Sequence, residues 1–404
     1  MPNSNKYFQY TLDDLKRSSD RKLFNVVSLF SGGGGSSCGY KLAGGDIICV
    51  NEFQQVHADT YNANFPDTPV IVQDIKTVTG ATIREKIGDI DIDILDGSPP
   101  CPPFSMSGTK RKGWGKEKMA YGFKQERIED LTFEQVRLVG ELQPKVVVCE
   151  NVKGLTMDYA KDYLNMMLNE FESKGYVVTC KVLNAWKYGV PQKRERVFIV
   201  GVRNDVAEKI GINWMNISRI YPEPSEENKP VIEDAIREVQ TDPVNEAESQ
   251  ELCDIMKTSA KYKWLRRLPK NPDRVVSVGD DVVGPWYEKW IAHRKARDKV
   301  LPEPKHSFYQ SRRVPWNQAS HTLSEQGLMT SLAVHLHPEE DRVFTTKEAA
   351  RIMTLPEDYK FTGTLNENLA RVGLMVASIC LKYLADEIYK QVLEPYNGKN
   401  TSNK

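Results

Sequence analysis

The sequence predicts an α/β protein that handles its ligands at the carboxyl ends of the strands of an open sheet. Three observations carry that expectation. The apolar residues Val26, Val27, Leu29 and Phe30 form a short strand that runs into Ser31-Gly32-Gly33-Gly34-Gly35-Ser36-Ser37 and then into a helix-like stretch. That order lets backbone amides approach a ligand without Cβ interference. Acids also stand at the ends of later apolar runs: Glu52, Asp74 and Glu150. Finally, the regular pattern lapses from about residue 204 to 334, where Pro222, Pro224, Pro230, Pro243 and others interrupt it, as a second domain or large insertion would.

The bulk numbers fit a two-domain chain. It has 404 residues, 40% of them hydrophobic, enough for a sizeable core. Lys plus Arg and Asp plus Glu both total 55, so any nucleic-acid contact must come from local basic patches. The seven cysteines are scattered and contain no CxxC pair, which argues against a zinc site or disulfide framework and for a reducing cytoplasm. The amino-terminal stretch is polar, unlike a signal peptide, and no uninterrupted apolar run approaches membrane length.

Taken in order, residues 1–22 read as a loose arm or a surface helix. After the glycine turn, Ile47, Ile48, Cys49 and Val50 form a second strand ending in Asn51-Glu52-Phe53. Glu52 thus follows the glycines by about twenty residues, where such folds bind a ribose hydroxyl pair. Val70, Ile71 and Val72 make a third strand closing with Gln73-Asp74-Ile75, and Asp74 taken alone reads equally well as a helix cap. Ile90, Ile92 and Ile94 alternate with Asp91 and Asp93 up to Leu95, a period of two that reads as a strand. The strand meets a rigid turn at Asp96-Gly97-Ser98-Pro99-Pro100-Cys101-Pro102-Pro103-Phe104-Ser105.

The next stretch intersperses Gly108, Gly113, Gly115 and Gly122 with Lys110, Arg111, Lys112, Lys116, Lys118 and Lys124. It reads as a mobile basic loop able to pair with phosphate, or as a solvated surface loop. Helical periodicity over 129–142 leads to the buried strand of Val146, Val147, Val148 and Cys149, which ends in Glu150-Asn151-Val152. A helix over 158–173 and strands over 176–183 and 197–202 follow. Between those strands lies Gln192-Lys193-Arg194-Glu195-Arg196; arginines two apart point to one side when extended, so both can address one ligand. Basic and aromatic residues mix in Lys305-His306-Ser307-Phe308-Tyr309-Gln310-Ser311-Arg312-Arg313, as on a nucleic-acid surface or an ordinary loop. Helical spacing returns over 347–354 and over 365–390.

Together, Phe30-Ser31-Gly32-Gly33-Gly34-Gly35, Pro99-Pro100-Cys101, Glu150-Asn151-Val152 and Gln192-Lys193-Arg194-Glu195-Arg196 resemble the ordered motifs of the cytosine C5 DNA methyltransferases. Arg342-Val343-Phe344-Thr345, with Glu348 downstream, fits the same series. The resemblance covers roughly residues 24–203 and 338–389. It leaves a variable block where the family keeps its target recognition domain. The chain departs from the pattern at Ser28, where Asp is common, at Pro102, where Gln usually follows the cysteine, and at Arg371-Val372-Gly373-Leu374, which replaces Gln-Ile-Gly-Asn.

The resemblance implies a Rossmann-like S-adenosylmethionine-dependent sheet in residues 1–203, a smaller irregular target recognition domain in 204–337, and a return to the catalytic domain in 338–404. It implies that Cys101 attacks C6 of a flipped cytosine while Glu150 assists at N3 and Arg194 and Arg196 position the base. Phe30, Gly32, Gly34, Gly35, Glu52, Phe53, Asp74, Ile75, Pro100 and Val376 would hold S-adenosylmethionine, with no metal. The partner would be double-stranded DNA. A monomer in the cytoplasm, associated with the nucleoid in a bacterial or phage setting, and a cognate restriction endonuclease complete the expectation.

The nearest rival is a transfer RNA cytosine methyltransferase, since one branch of the family carries nearly the same motifs. The length of the 204–334 block favours DNA. A nicotinamide-dependent oxidoreductase would use the glycine turn and Glu52 but leaves Cys101, Glu150 and the arginine pair without a role. A silent DNA-binding module rests only on the departures at Pro102 and Leu374.

Overall fold

The computed structural model describes residues 7–100, 118–120, 123–125, 131–258, 265–277, 311–325 and 335–401. Cys101 and all but short backbone pieces of the basic loop lie outside these residues, as do 305–310 of the basic-aromatic stretch.

The polar amino-terminal segment contains a helix, α1 (Leu12–Ser19), started by a reciprocal cap between Thr11 and Asp14. It is docked rather than loose. Tyr7 and Tyr10 are buried, and their hydroxyls donate to the carbonyls of Arg351 and Thr354 at 2.8 and 2.6 Å.

The chain then alternates strand and helix: β1 (Phe24–Leu29), α2 (Gly35–Leu42), β2 (Gly45–Glu52), α3 (Gln55–Asn64), β3 (Val70–Val72), α4 (Gly80–Ile87) and β4 (Ile94–Gly97). Two short strands, β5 (Lys118–Ala120) and β6 (Phe123–Gln125), pair with each other. Next come α5 (Leu131–Leu142), β7 (Val146–Val152), α6 (Lys161–Ser173), β8 (Tyr176–Asn184), β9 (Gln192–Lys193) and β10 (Glu195–Arg203). The main sheet has seven strands in the order β3-β2-β1-β4-β7-β10-β8. Neighbours are parallel from β3 to β7, and β10 runs against both β7 and β8.

Strand residues go alternately to two hydrophobic layers. Val26, Ile94, Val146, Val148, Phe198 and Val200 join the layer of α2 and the carboxyl-terminal helices, and Val27, Leu29, Leu95, Val147, Cys149 and Ile199 join that of α4, α5 and α6. Covering on both faces explains why these strands are continuous apolar runs.

The isoleucine alternation overstates its strand. β4 begins only at Ile94, and Ile90 is 43% exposed. The aspartates there serve as anchors instead: Asp93 accepts from Asn25 N at 2.9 Å, and Lys145 Nζ bridges Asp91 at 3.0 Å and Asp93 at 2.6 Å. The backbone pairs only just before Ile94, where Lys145 N and Val146 N donate to the carbonyls of Ile92 and Asp93 at 2.9 and 2.8 Å.

The region 365–390 also differs from one continuous helix. Helices Leu365–Leu374 and Ser378–Ile388 are separated by extended residues at Met375 and Ala377. The stretch Leu365–Gly398 is long and apolar enough to cross a membrane by length and composition, beyond what the sequence pattern indicated, and 72% of its window is buried inside the protein. Its apolar residues, among them Val372, Ile379, Leu381 and Leu384, line the core against α2.

Candidate active site

The carboxyl ends of β1, β2, β3, β4 and β7 lie along one edge of the sheet, because these strands are parallel neighbours. The strand order switches sense between β1 and β4, the point at which open α/β sheets form a ligand crevice. β1 leaves this edge through Phe30, whose φ of 55° is left-handed, followed by Gly32 at 55° and Gly34 at 99°. A bulky residue in that region costs on the order of 1–3 kcal/mol, and such strain concentrates at ligand sites.

Glu52 closes over this turn from the end of β2. Its carboxylate is buried and accepts from Gly32 N and Gln54 N, both at 2.8 Å, with His57 Nδ1 3.6 Å away. The structure therefore brings Gly32 and Glu52 together. Gly35 has no room for a side chain, since a Cβ there would stand 2.6 Å from the Val376 carbonyl. That contact lies at the break between the two carboxyl-terminal helices and draws Val376 to the turn.

The other cofactor candidates are more mixed. Phe53 is 46% exposed, and Pro100 is half-buried at the end of the described turn. Asp74 is half-buried and accepts from Lys76 N at 3.0 Å within a turn; it caps no helix, since the cap of α4 is Thr79. Ile75 is buried in the hydrophobic layer under α5, while its carbonyl accepts from Arg137.

The turn fits S-adenosylmethionine. Ser31 Oγ is buried without a hydrogen-bond partner, and the space beside Gly32 where a side chain would stand is open. A buried polar atom without a partner and an unfilled cradle, next to a buried carboxylate, suit a ligand with both hydroxyl and charged groups. Among the described residues no group of His, Cys, Asp and Glu side chains is gathered to hold a metal ion.

Glu150 lies near the end of β7, 8% exposed. The reversed direction of β10 puts its first residues at the same edge, with Arg196 opposite Val152 and Phe198 opposite Glu150. Arg196 Nε stands 3.1 Å from Glu150 Oε1, an ion pair whose angles leave that oxygen without a hydrogen bond. Asn151, beside Glu150, reaches the proline turn: its Nδ2 donates to the Pro99 carbonyl at 3.3 Å. The motif Glu150-Asn151-Val152 signalled this residue, although its positioning role is visible only in space.

Arg194 does not share the Glu150 contact. Its side chain is buried, with Nη1 donating to the Leu323 carbonyl and Nη2 to the Gly373 carbonyl, both at 3.1 Å. A break between β9 and β10 falls at Arg194, so the two arginines are not in one uninterrupted extended run. Burial, then the neighbouring Arg196, pull the Arg194 pKa well below the usual guanidinium value.

Two further side chains, Asp96 and Gln135, lie under the crevice without an assigned role in the sequence. Asp96 on β4 is buried and accepts from Ser28 Oγ and Tyr40 OH, each at 3.0 Å. Gln135 of α5 packs against Gly97 and donates to the Val148 carbonyl at 3.0 Å.

The sheet order, the glycine turn and the acids at strand ends define an open α/β protein with a ligand crevice at the carboxyl edge of its sheet. The profile of the C-5 cytosine-specific DNA methylase family matches residues 24–390. The chain is 31% identical over 359 residues to Type II methyltransferase M.PspPI of Psychrobacter sp. (strain TA137), covering 87% of this chain and 75% of that protein. It is also 31% identical over 372 residues to Type II methyltransferase M.Eco47II of Escherichia coli, covering 89% and 77%.

Among solved structures, a putative DNA modification methyltransferase encoded within a prophage (E. coli) is similar with a TM-score of 0.61 at 23% identity, over 92% of this chain and 99% of that one. The S. pombe Dnmt2 methyltransferase is similar with a TM-score of 0.57 at 17% identity, over 93% and 99%. At these identities the structural likeness speaks for the fold alone. The chain belongs to the C-5 cytosine-specific DNA methylase family, and its reaction is methylation of cytosine C5 in DNA. The family implies S-adenosylmethionine as the methyl donor and DNA as the substrate.

Proposed function

We propose that the chain methylates cytosine within one specific double-stranded DNA sequence, through a transient bond between Cys101 and C6 of a base flipped out of the duplex. One observation carries the reading. The end of β7 holds the Glu150–Arg196 pair and, through Asn151, the turn that leads into Cys101.

The chemistry requires such a grouping. Cytosine C5 is a poor nucleophile, and the atom is out of reach inside a stacked duplex. The Cys101 thiolate donates an electron pair to C6, and the C5–C6 π pair moves onto C5 and, through C4, towards N3. Glu150, held from one side by Arg196, offers a proton to N3 and so stabilises that charge. C5 then bonds to the methyl carbon as the carbon–sulfur bond of the donor breaks and leaves its electron pair on sulfur. Loss of the C5 proton to a base returns its electron pair to the ring and expels the thiolate.

S-adenosylmethionine, when bound, supplies the methyl on a sulfonium sulfur. Gly32, Gly34, Gly35, Glu52 and Val376 would hold it, with Phe30, Phe53, Asp74, Ile75 and Pro100 completing the pocket wall. We assign target reading to 204–337 and catalysis to 1–203 with 338–404, in a monomer acting in the cytoplasm on nucleoid DNA. The Type II names of the relatives support pairing with a cognate restriction endonuclease.

Labelled methyl transfer, run side by side on duplex DNA and on transfer RNA, tests the substrate. Label on DNA alone is the expected result. Label on transfer RNA alone would overturn the reading.

A further inference from the structure

Arg194 joins three segments that are remote in sequence. It follows β9, which pairs in parallel with strand Ser320–His321 from the far side of the proline-rich block. That seam is reinforced by Ser320 N donating to the Pro191 carbonyl at 2.9 Å and Leu323 N donating to Gln192 Oε1 at 3.1 Å. The guanidinium then fastens the Leu323 carbonyl to the Gly373 carbonyl. Gly373 lies so close to the block that a Cβ on it would stand 2.2 Å from the Ser324 carbonyl oxygen. Three residues after Gly373, the Val376 carbonyl presses on Gly35 of the glycine turn.

A continuous contact path thus runs from the cofactor turn through 373–376 and Arg194 to residues 320–324. The side chain at its centre is a guanidinium held by carbonyl dipoles, with no carboxylate hydrogen-bonded to it among the described residues. Packing alone does not require this, because burying a cation costs free energy that an apolar side chain of similar size avoids.

We propose that Arg194 is a positioning residue that couples cofactor binding to DNA binding, by fixing the 320–324 seam of the recognition block to the 373–376 segment beside the cofactor turn. The inference rests on the reading of 204–337 as the recognition block. It moves Arg194 from contact with the base to control over how the two binding surfaces meet.

Coupling is reciprocal and measurable as the factor by which one ligand tightens the other. The test is the Kd of S-adenosylhomocysteine with the full-length protein alone and with a saturating duplex carrying the site mapped by bisulfite sequencing. The native factor should fall in the range of about 5- to 150-fold typical of coupled sites. Arg194→Met should bring it to within about twofold of unity while leaving the Kd for the cofactor product alone within about threefold of native, on the same principle of separable coupling and affinity.

Arg194→Lys, which keeps charge but not the two-pronged donor, should give an intermediate factor and decides the matter if the Met variant does not fold. Gly373→Ala should lower the factor with Arg194 intact. A native factor of one, or a native-sized factor in the folded Arg194 variants, overturns the proposal. Absence of any mapped DNA methylation instead strikes at the function itself, so the two failures are distinct.

Discussion

Ser28 and Asp96 face each other across the β1–β4 ladder, where the register pairs them directly. A hydroxyl on the first strand thus faces a carboxylate on the adjacent one. Burial pushes Asp96 up from 3.8 to about 6, against the hydrogen bonds from Ser28 and Tyr40. An acid with a raised pKa binds its proton more tightly in the folded state than in the unfolded state. Its favourable contribution is therefore present below about pH 4 and is lost as pH rises towards about 6. At about 1.4 kcal/mol per pKa unit this amounts to about 3 kcal/mol. Urea unfolding of native protein and of Asp96→Asn should show a stability difference that grows over this window and levels off above it; parallel curves would contradict it. Along the sequence Asp96 reads only as the start of a turn, because cross-strand register is not written in local spacing. Arg194 and Arg196 do not share a contact for a related reason: a two-residue offset fixes direction only in unbroken extended chain.

At the scale of elements, helix Thr346–Ile352 shows how one motif is secured. Thr345 and Glu348 form a reciprocal cap, and Arg342 grips Glu348 with Nη1 at 2.7 Å and Nη2 at 2.9 Å. Both side chains are fully buried, so their attraction is little screened and an unpaired member would be costly. Arg342 holds the Glu348 carboxyl below the usual range despite burial. Glu348→Gln should cost about 3–5 kcal/mol by denaturant unfolding; a loss under about 1 kcal/mol would show that the pair is replaceable. The sequence showed the motif and the helix, since capping chemistry is local. It did not show the interruption at Met375–Ala377, residues that could continue a helix. The break is imposed from outside, by Gly35 against Val376 and by Arg194 on Gly373.

For the whole molecule, equal totals of 55 acidic and 55 basic residues leave no global attraction for DNA. Recognition then depends on local surfaces. The strand sequence and the edge that carries the site were legible, because parallel strands buried on both faces are apolar runs with their functional residues just beyond the ends. The reversed β10 was less legible, yet it brings Arg196 to Glu150, since an antiparallel strand starts at the edge where its neighbour finishes. The docked amino-terminal arm also escaped notice: Tyr7 and Tyr10 find their acceptors more than three hundred residues away.

Bisulfite sequencing of genomic DNA from cells expressing the protein or its Cys101→Ser variant tests the central claim most directly. The native protein should leave cytosines protected in one recurrent sequence, and the variant should leave none while its purified form still binds S-adenosylhomocysteine. Protection at native levels with Cys101→Ser, or no protected cytosine with the native protein, would contradict the account.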